Sequence, residues 1–299
     1  MAQKKIVIGL GEVLWDLLPG GKQLGGAPSN FAFHAHALGA DAKVITRVGT
    51  DQLGNEILGC LRDLGLSTEL VSVDPDYPTG TVSVEISADG QPQFTIHENV
   101  AWDHLEANGA ARKAMAQCNA VCFGSLAQRN ANAGAAIQAL VTATSGQALR
   151  IFDINLRQHF FSREIIEPSL ELANVLKIND QELPVVADMF GLKGDPVVQM
   201  EHMAERFELS MVALTRGAKG SLLLSNGRLS EHVGAPVCVA DCVGAGDAFT
   251  AALVMGLLTG CALDEINKRA NTLAGYVCSQ PGATPRIPEE MRRLFAVPG

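Results

Sequence analysis

The sequence has little positive charge and few aromatic residues. Its 299 residues include 23 Lys and Arg against 32 Asp and Glu, which gives a formal net charge of -9, and aromatic residues make up 5%. Nucleic acids and anionic membrane surfaces attract proteins through a basic face, so this composition disfavours both partners. A polyanionic ligand can still be held locally, by backbone N–H groups together with a divalent cation.

Long hydrophobic runs are also missing. Glu12 and Asp16 interrupt the apolar segment that begins at Ile6, before it reaches the length of a signal peptide or a membrane span. Polar residues and glycines break the apolar segment 248–263, which is typical of a core helix. The seven cysteines are an odd number and have no neighbouring histidines to complete a zinc site, so we expect reduced thiols in a cytoplasmic protein.

Two common nucleotide-binding fingerprints are absent. The segment Gly9-Leu-Gly-Glu-Val-Leu14 follows a predicted strand but lacks the third glycine of the dinucleotide-binding fingerprint. No Gly-Lys pair is followed by Ser or Thr at the spacing of a Walker phosphate loop. These absences disfavour a nucleotide-dependent dehydrogenase and the ordinary P-loop enzymes.

Short β-rich segments alternate with helical patterns along most of the chain. The predicted elements are a strand over Lys5 to Leu10, a helix from Asn30, a strand over Lys43 to Arg47, a helix over Leu53 to Leu64, and strands over 120–123, 149–153, 175–178 and 211–215. This order is typical of an α/β fold in which helices cover both faces of a mostly parallel sheet. With no linker or internal repeat in view, we expect one domain over residues 1–299.

Two segments, 13–24 and 79–98, interrupt this alternation. Polar residues at 81, 83 and 85 alternate with apolar residues at 82, 84 and 86, and Ala88-Asp-Gly90 is typical of a turn. The pattern predicts a small antiparallel β lid contributed by residues of about 12–26 and 79–99. Such a lid can close over a ligand, and its apolar face predicts a homodimer formed through it.

The strongest chemical signal is Asp241-Cys-Val-Gly-Ala-Gly-Asp247, between a predicted strand over 236–240 and a long helix. The small residues Gly244, Ala245 and Gly246 let the backbone approach an anion, and a helix N-terminus adds partial positive charge there. Asp247 can cap this helix, or it can accept a proton from a hydroxyl that attacks a phosphoryl group. The segment taken alone leaves both interpretations open.

Further motifs occur in a fixed order with this segment. They are Gly25-Gly-Ala-Pro-Ser-Asn-Phe-Ala32, Arg47-Val-Gly-Thr-Asp-Gln-Leu-Gly54, Asp153-Ile-Asn-Leu-Arg157, Lys177-Ile-Asn-Asp-Gln-Glu182 and Leu214-Thr-Arg-Gly-Ala-Lys-Gly220. Together they resemble the ribokinase-like (PfkB) carbohydrate kinase family, and Gly11-Glu-Val-Leu-Trp-Asp-Leu-Leu-Pro19 is most similar to its fructokinase branch. The resemblance covers nearly the whole chain.

This resemblance implies a three-layer α/β/α fold and transfer of the γ-phosphoryl group of ATP to a sugar hydroxyl, with Mg²⁺ and with Asp247 as base. The Gly244-Ala245-Gly246 nest would stabilise the transferred group. D-fructose, converted to its 6-phosphate, is the expected substrate. Ketodeoxygluconate, ribose and a nucleoside are alternatives within the same fold, and a catalytically silent sugar- or nucleotide-sensing module is an alternative of a different class.

The resemblance also assigns individual residues. Those matching sugar contacts are Asp16, Gly25, Gly26 and Asn30. Those matching nucleotide contacts are Asn179, Glu182, Thr215, Gly217, Gly220 and Asn271, with Glu182 organising Mg²⁺ through water; helix capping is the alternative for Asn179 and Glu182. If Asp153, Asn155 and Arg157 alternate along a strand end, Arg157 can offset phosphate charge, or it can pair with Asp153.

Members of the family often bind a monovalent cation, such as K⁺, beside the anion nest. The matching positions are Asp241, Val243, Val277, Gln280, Gly282 and Arg286. Most of these ligands would be backbone carbonyls, which leave no side-chain signature in a sequence. Cys242 stands where the family commonly has threonine, which preserves the glycine spacing but removes a local hydroxyl contact.

Overall fold

The computed structural model of the chain describes residues 4–18, 20–86, 92–234 and 236–295. Its strands are β1 (Ile6–Leu10), β2 (Leu14–Leu18), β3 (Gly21–Gly25), β4 (Asp41–Gly49), β5 (Val71–Asp74), β6 (Thr81–Ile86), β7 (Pro92–Ile96), β8 (Ala120–Phe123), β9 (Leu149–Asp153), β10 (Val175–Asn179), β11 (Met211–Thr215), β12 (Ser221–Ser225) and β13 (Arg228–His232). Its α-helices are α1 (Ala27–Ala37), α2 (Gln52–Asp63), α3 (Gly109–Gln117), α4 (Ala131–Thr142), α5 (Arg163–Leu172), α6 (Glu182–Met189), α7 (Pro196–Arg206), α8 (Ala245–Leu258), α9 (Leu263–Cys278) and α10 (Glu289–Arg293).

The large sheet has the strand order β13-β12-β11-β10-β9-β8-β1-β4-β5. Strands β11 to β5 in this order pair in parallel, whereas β12 and β13 add an antiparallel edge. Helices α3 to α7 contribute to the core on one face, and α1, α2, α8 and α9 contribute to the core on the other. The predicted three-layer α/β/α fold is therefore confirmed.

The small sheet has the order β3-β2-β6-β7 and comes from the two segments whose alternation predicted it. Its hairpins β2–β3 and β6–β7 are antiparallel, as expected, but β2 and β6 join them in parallel, with Trp15 opposite Thr81. Alternation cannot reveal that pairing, because it reports the side-chain period and not the partner strand. The predicted turn at 88–90 lies outside the described residues, and a homodimer through this sheet stays a prediction.

The predicted strand over 236–240 is wrong. Residues 236–240 contain no strand, and the N–H groups of Ala240 and Asp241 donate to the carbonyl of Cys278 at the end of α9. Val237 and Val239 gave the segment a high β-propensity, yet Val239 is exposed, and among the described residues no strand pairs with this segment. The chain therefore reaches α8 along the end of a helix. Within the described part of the chain, no helix is long and apolar enough to cross a membrane.

Candidate active site

The carboxyl ends of several parallel strands meet the first turn of α8, which is where ligands bind in open α/β sheets. Gly244 precedes α8 with φ 78°, a left-handed conformation that favours glycine. A Cβ atom at Gly244 would lie 2.5 Å from the carbonyl oxygen of Ala283, so only glycine fits this contact. The first turn of a helix leaves amide groups without intrahelical acceptors. The N–H of Ala245 donates to the carbonyl of Cys242 at 3.3 Å, and the N–H groups of Gly244 and Gly246 can be offered to an anion.

Asp247 lies in this first turn, where its carboxyl accepts a hydrogen bond from Asn30 Nδ2 at 2.9 Å. Burial, and secondarily the negative charge of Asp153, raise the pKa of Asp247 to about 6, while Asn30 and the cations Lys177 and Arg157 oppose the rise. The carboxyl is therefore mostly ionised at neutral pH and poised to accept a proton. A simple surface cap would not have this environment.

A buried ion pair lies beneath the anion nest. Lys177 Nζ donates to Asp153 Oδ1 at 2.9 Å, and Thr250 Oγ1 donates to Asp153 Oδ2 at 2.8 Å. A Cβ atom at Gly246 would lie 3.1 Å from Lys177 Nζ, so the ammonium group reaches the first turn of α8. The alternative in which Asp153 pairs with Arg157 is therefore wrong, and Lys177 is a charged residue of the site that sequence reasoning missed.

The residues matched to sugar contacts come together on β2, β3 and α1. Asp16 lies on β2, and a Cβ atom at Gly25 on β3 would be 2.5 Å from Asp16 Oδ2. Burial raises the pKa of Asp16, and the charge of Arg157 opposes this rise. Gly26 adopts φ 109° just before α1, where a Cβ atom would be 2.5 Å from the carbonyl oxygen of Glu12. Asn30, one turn into α1, connects this group of residues to Asp247.

Arg157 follows β9, but the strand geometry expected for it is wrong. The strand ends at Asp153, and Asn155 adopts φ 51°, so the alternation of side chains does not continue to Arg157. Its guanidinium group is exposed and donates to the carbonyl of Leu156. The charge of Arg157 opposes the rise in the pKa of Asp16 and of Asp247, so Arg157 lies beside the candidate site.

Glu12 is a second carboxyl that sequence reasoning left without a role. The side chain is 4% exposed, and its Oε2 atom has no hydrogen-bond partner among the described residues. Burial raises the pKa of Glu12 to about 7, and the nearby charges of Arg157 and Asp247 act on it in opposite directions. The position of Glu12 in the sequence could have indicated its place in the site, because a carboxyl just after a buried first strand lies at the ligand-binding edge of a parallel sheet.

Asn179 and Glu182 make the hydrogen bonds expected of the alternative in which they cap a helix. Asn179 Oδ1 accepts from the backbone N–H of Glu182, and Glu182 Oε2 accepts from the N–H of Asn179, both at 2.9 Å. The other carboxylate oxygen, Oε1, accepts from the N–H of Leu156 at 3.0 Å. These bonds join the start of α6 to the chain after β9. The predicted magnesium and phosphate contacts of these two residues stay predictions.

The four other residues matched to nucleotide contacts lie around the β11–β12 turn and α9. Thr215 ends β11, and Gly217 has open space around its Cα atom. Gly220 adopts φ 80°, and a Cβ atom there would be 1.9 Å from the carbonyl oxygen of His232, so backbone packing alone demands this glycine. Asn271 Nδ2 donates to Ser221 Oγ at 2.7 Å, which joins α9 to the start of β12.

The residues matched to a monovalent cation occupy two neighbouring loops. The carboxylate of Asp241 accepts from the N–H of Val243 at 3.0 Å and of Gly282 at 3.2 Å, which links the loops. The carbonyl of Arg286 accepts from the hydroxyl of Tyr276, and the carbonyl of Val277 accepts from the N–H of Gln280. No group of three or more His, Cys, Asp or Glu with metal-binding geometry occurs among the described residues. The K⁺ site stays a prediction.

Comparisons with known proteins identify the family of the chain. Residues 19–290 match the profile of the pfkB family carbohydrate kinases. An uncharacterised sugar kinase of Pyrococcus horikoshii is 28% identical over 282 residues, covering 91% of this chain and 86% of the relative. Its crystal structure has a TM-score of 0.84 and covers 98% of this chain and 100% of its own.

A fructokinase of Klebsiella pneumoniae is also 28% identical, over 278 residues, covering 89% of this chain and 88% of the relative. A second structure of the Pyrococcus protein, in complex with ATP, has 26% sequence identity and a TM-score of 0.83, covering 97% of this chain and 100% of its own. The chain belongs to the pfkB family of carbohydrate kinases and is a phosphotransferase with a hydroxyl acceptor.

Proposed function

We propose that the chain is a single-domain, ATP-dependent fructokinase that converts D-fructose to fructose 6-phosphate. The 2.9 Å hydrogen bond between Asn30 and Asp247 carries the proposal, because it joins the residues matched to sugar contacts to the first turn of α8. The choice of fructose rests on the relatives named fructokinase, including that of Klebsiella pneumoniae. The choice of ATP draws support from the ATP complex of the Pyrococcus protein.

In this reaction Asp247 accepts the proton of the sugar hydroxyl while the hydroxyl oxygen forms a bond to the γ-phosphorus. The bond between that phosphorus and the bridging oxygen breaks, and ADP leaves. Backbone N–H groups of the nest at residues 244–246 donate to the transferred group and stabilise its negative charge, and Lys177 adds a fixed positive charge beneath them. Asp16 and Asn30 orient the sugar, because they offer a carboxylate and an amide to its hydroxyls.

Glu182 is the residue that would hold Mg²⁺ through water. Each of its carboxylate oxygens accepts one backbone N–H bond, and a carboxylate oxygen has a further lone pair to offer a water ligand. The residue therefore fits the role. Bound together with ATP, Mg²⁺ would neutralise part of the phosphate charge.

A panel of acceptors tests the substrate. With ATP and Mg²⁺, we expect the highest kcat/KM for D-fructose in an ADP-release assay, and fructose 6-phosphate as the product by NMR. ADP release without a sugar should be slow, because closure over the sugar excludes water. An Asp247→Asn preparation, purified identically, reports any contaminating kinase. Higher kcat/KM for ketodeoxygluconate, ribose or adenosine would refute fructose, and ATP binding without turnover on any acceptor would favour the sensing module.

The pH dependence of the reaction should report the ionisation of Asp247. Its folded-state pKa is raised to about 6, and only the ionised form accepts a proton, so kcat/KM should fall as the pH drops through about 6. Replacing Arg157 by Gln removes a charge that lowers this pKa. We therefore expect the acid limb of the Arg157→Gln profile to move to higher pH, measured with saturating ATP and limiting sugar.

Two control variants accompany that measurement. Arg163 is an exposed arginine on α5 that pairs with Glu167, so Arg163→Gln should leave the acid limb in place. Glu12 also titrates in this range, because burial raises its pKa to about 7. Glu12→Gln should retain the limb that belongs to Asp247. An acid limb that vanishes in Glu12→Gln, or that stays fixed in Arg157→Gln, contradicts the assignment to Asp247.

A further inference from the structure

Two thiols lie against each other at the loop that leads into α8. The sulfur atoms of Cys242 and Cys278 are 3.7 Å apart, although the residues are 36 positions apart in the sequence. Cys242 is exposed, and Cys278, the last residue of α9, is half-buried. By the resemblance, the family commonly has threonine at position 242, so the thiol there departs from the common pattern.

We propose that Cys242 and Cys278 form a reversible disulfide that switches the enzyme off under oxidising conditions. Formation of the bond depends only on these two side chains. Its effect on catalysis rests on the proposed function, because the loop that carries Cys242 continues through Gly244 into the first turn of α8, which carries Asp247.

The oxidant in this proposal is a hydroperoxide. The exposed sulfur of Cys242 attacks a peroxide oxygen, which gives a sulfenic acid and, with hydrogen peroxide, one molecule of water. The sulfur of Cys278 then displaces the hydroxyl group of the sulfenic acid, which forms the disulfide and releases a second water. In sum, two thiols lose two hydrogen atoms and the peroxide is reduced to water. A dithiol reductant reverses the change by thiol–disulfide exchange.

Formation of the disulfide would displace the anion nest. A disulfide has an S–S distance of about 2.05 Å, so the two sulfurs must approach each other by well over 1 Å from the 3.7 Å seen here. The carbonyl of Cys278 already accepts from the N–H groups of Ala240 and Asp241, so the backbone at the start of this loop is held against α9. Any part of the approach that rotation of the two side chains does not supply therefore falls on the segment after Asp241, which includes Gly244. A misplacement of about 1 Å in an active site can lower the rate by about a hundredfold.

Mass spectrometry tests the bond without any assay of function. After exposure of the full chain to a small excess of hydrogen peroxide, we expect one disulfide-linked peptide pair that contains Cys242 and Cys278. Cys242→Ser and Cys278→Ser should each abolish that linked pair. Cys238→Ser is the matched control, because Cys238 is also exposed and lies four residues from Cys242. Sulfinic acid at Cys242 without a linked pair, or a link through Cys238, would overturn the proposal.

Activity and nucleotide affinity test the consequence. The oxidised wild type should lose at least about tenfold in kcat and regain it with dithiothreitol, whereas both serine variants should keep the ratio of treated to untreated activity near one. Oxidised protein should also bind ATP more weakly by calorimetry, which needs neither turnover nor the correct sugar. A quantitative disulfide with unchanged kcat or unchanged ATP affinity would refute the switch, while failure of fructose as a substrate would leave the calorimetric result standing.

Discussion

Asp247→Asn should lower kcat by about a hundredfold or more while ATP binds nearly as well as to the wild type. The variant removes the proton acceptor, and loss of a positioned general base costs about that factor. Asparagine has the same shape, and its side-chain oxygen can still accept the hydrogen bond from Asn30 Nδ2. Steady-state kinetics with the best acceptor, together with calorimetry for ATP, measure the two quantities.

The fold should tolerate this change. Burial raises the pKa of Asp247 to about 6. Above that pH the carboxyl is ionised, and the folded state carries the free-energy cost of burying its charge. A neutral amide removes this cost. We therefore expect the free energy of unfolding at pH 7.5 to stay equal or to rise by on the order of 1 kcal/mol. Asp264→Asn, an exposed position on α9, is the matched control and should keep its kcat. Near-normal turnover in Asp247→Asn would mean that Asp247 is not the general base.

The parts of the molecule that the sequence predicted are those set by local patterns. Strands buried on both faces are continuous apolar runs, so β8 and β11 were predicted with their observed ends. Helix α1 begins at Ala27, before the predicted start at Asn30, because Pro28 fits the first turn of a helix. The glycine spacing from 244 to 246 predicted the turn into α8, because only small residues permit that close approach.

The contacts that sequence reasoning missed depend on which strands are neighbours. Asp153 and Lys177 lie opposite each other on β9 and β10, so their side chains meet although 24 residues separate them. Arg157 is closer to Asp153 in the sequence, but β9 has ended before it. The predicted strand over 236–240 failed for a related reason, because β-propensity carries no information about whether a partner strand is present.

Gly244→Ala should lower kcat by about a hundredfold through geometry alone, with every chemical group of the site retained. Alanine at φ 78° is strained by roughly 1–2 kcal/mol. Its Cβ atom would also lie 2.5 Å from the carbonyl oxygen and 2.7 Å from the Cα atom of Ala283, so the backbone of one loop must move. The amide groups of residues 244–246 would then miss the developing charge, and the loss of an aligned donor costs about 10²–10³ in kcat.

Gly260, just after α8, separates this effect from general strain. It adopts φ 69°, close to that of Gly244, but a Cβ atom there meets nothing within 4 Å. Gly260→Ala should therefore show a similar backbone penalty in thermal unfolding while its kcat stays near that of the wild type. If Gly260→Ala loses stability alone and Gly244→Ala also loses turnover, the position of the anion nest controls the rate. Equal kcat values in the two variants would instead mean that the nest does not hold the transferred phosphoryl group.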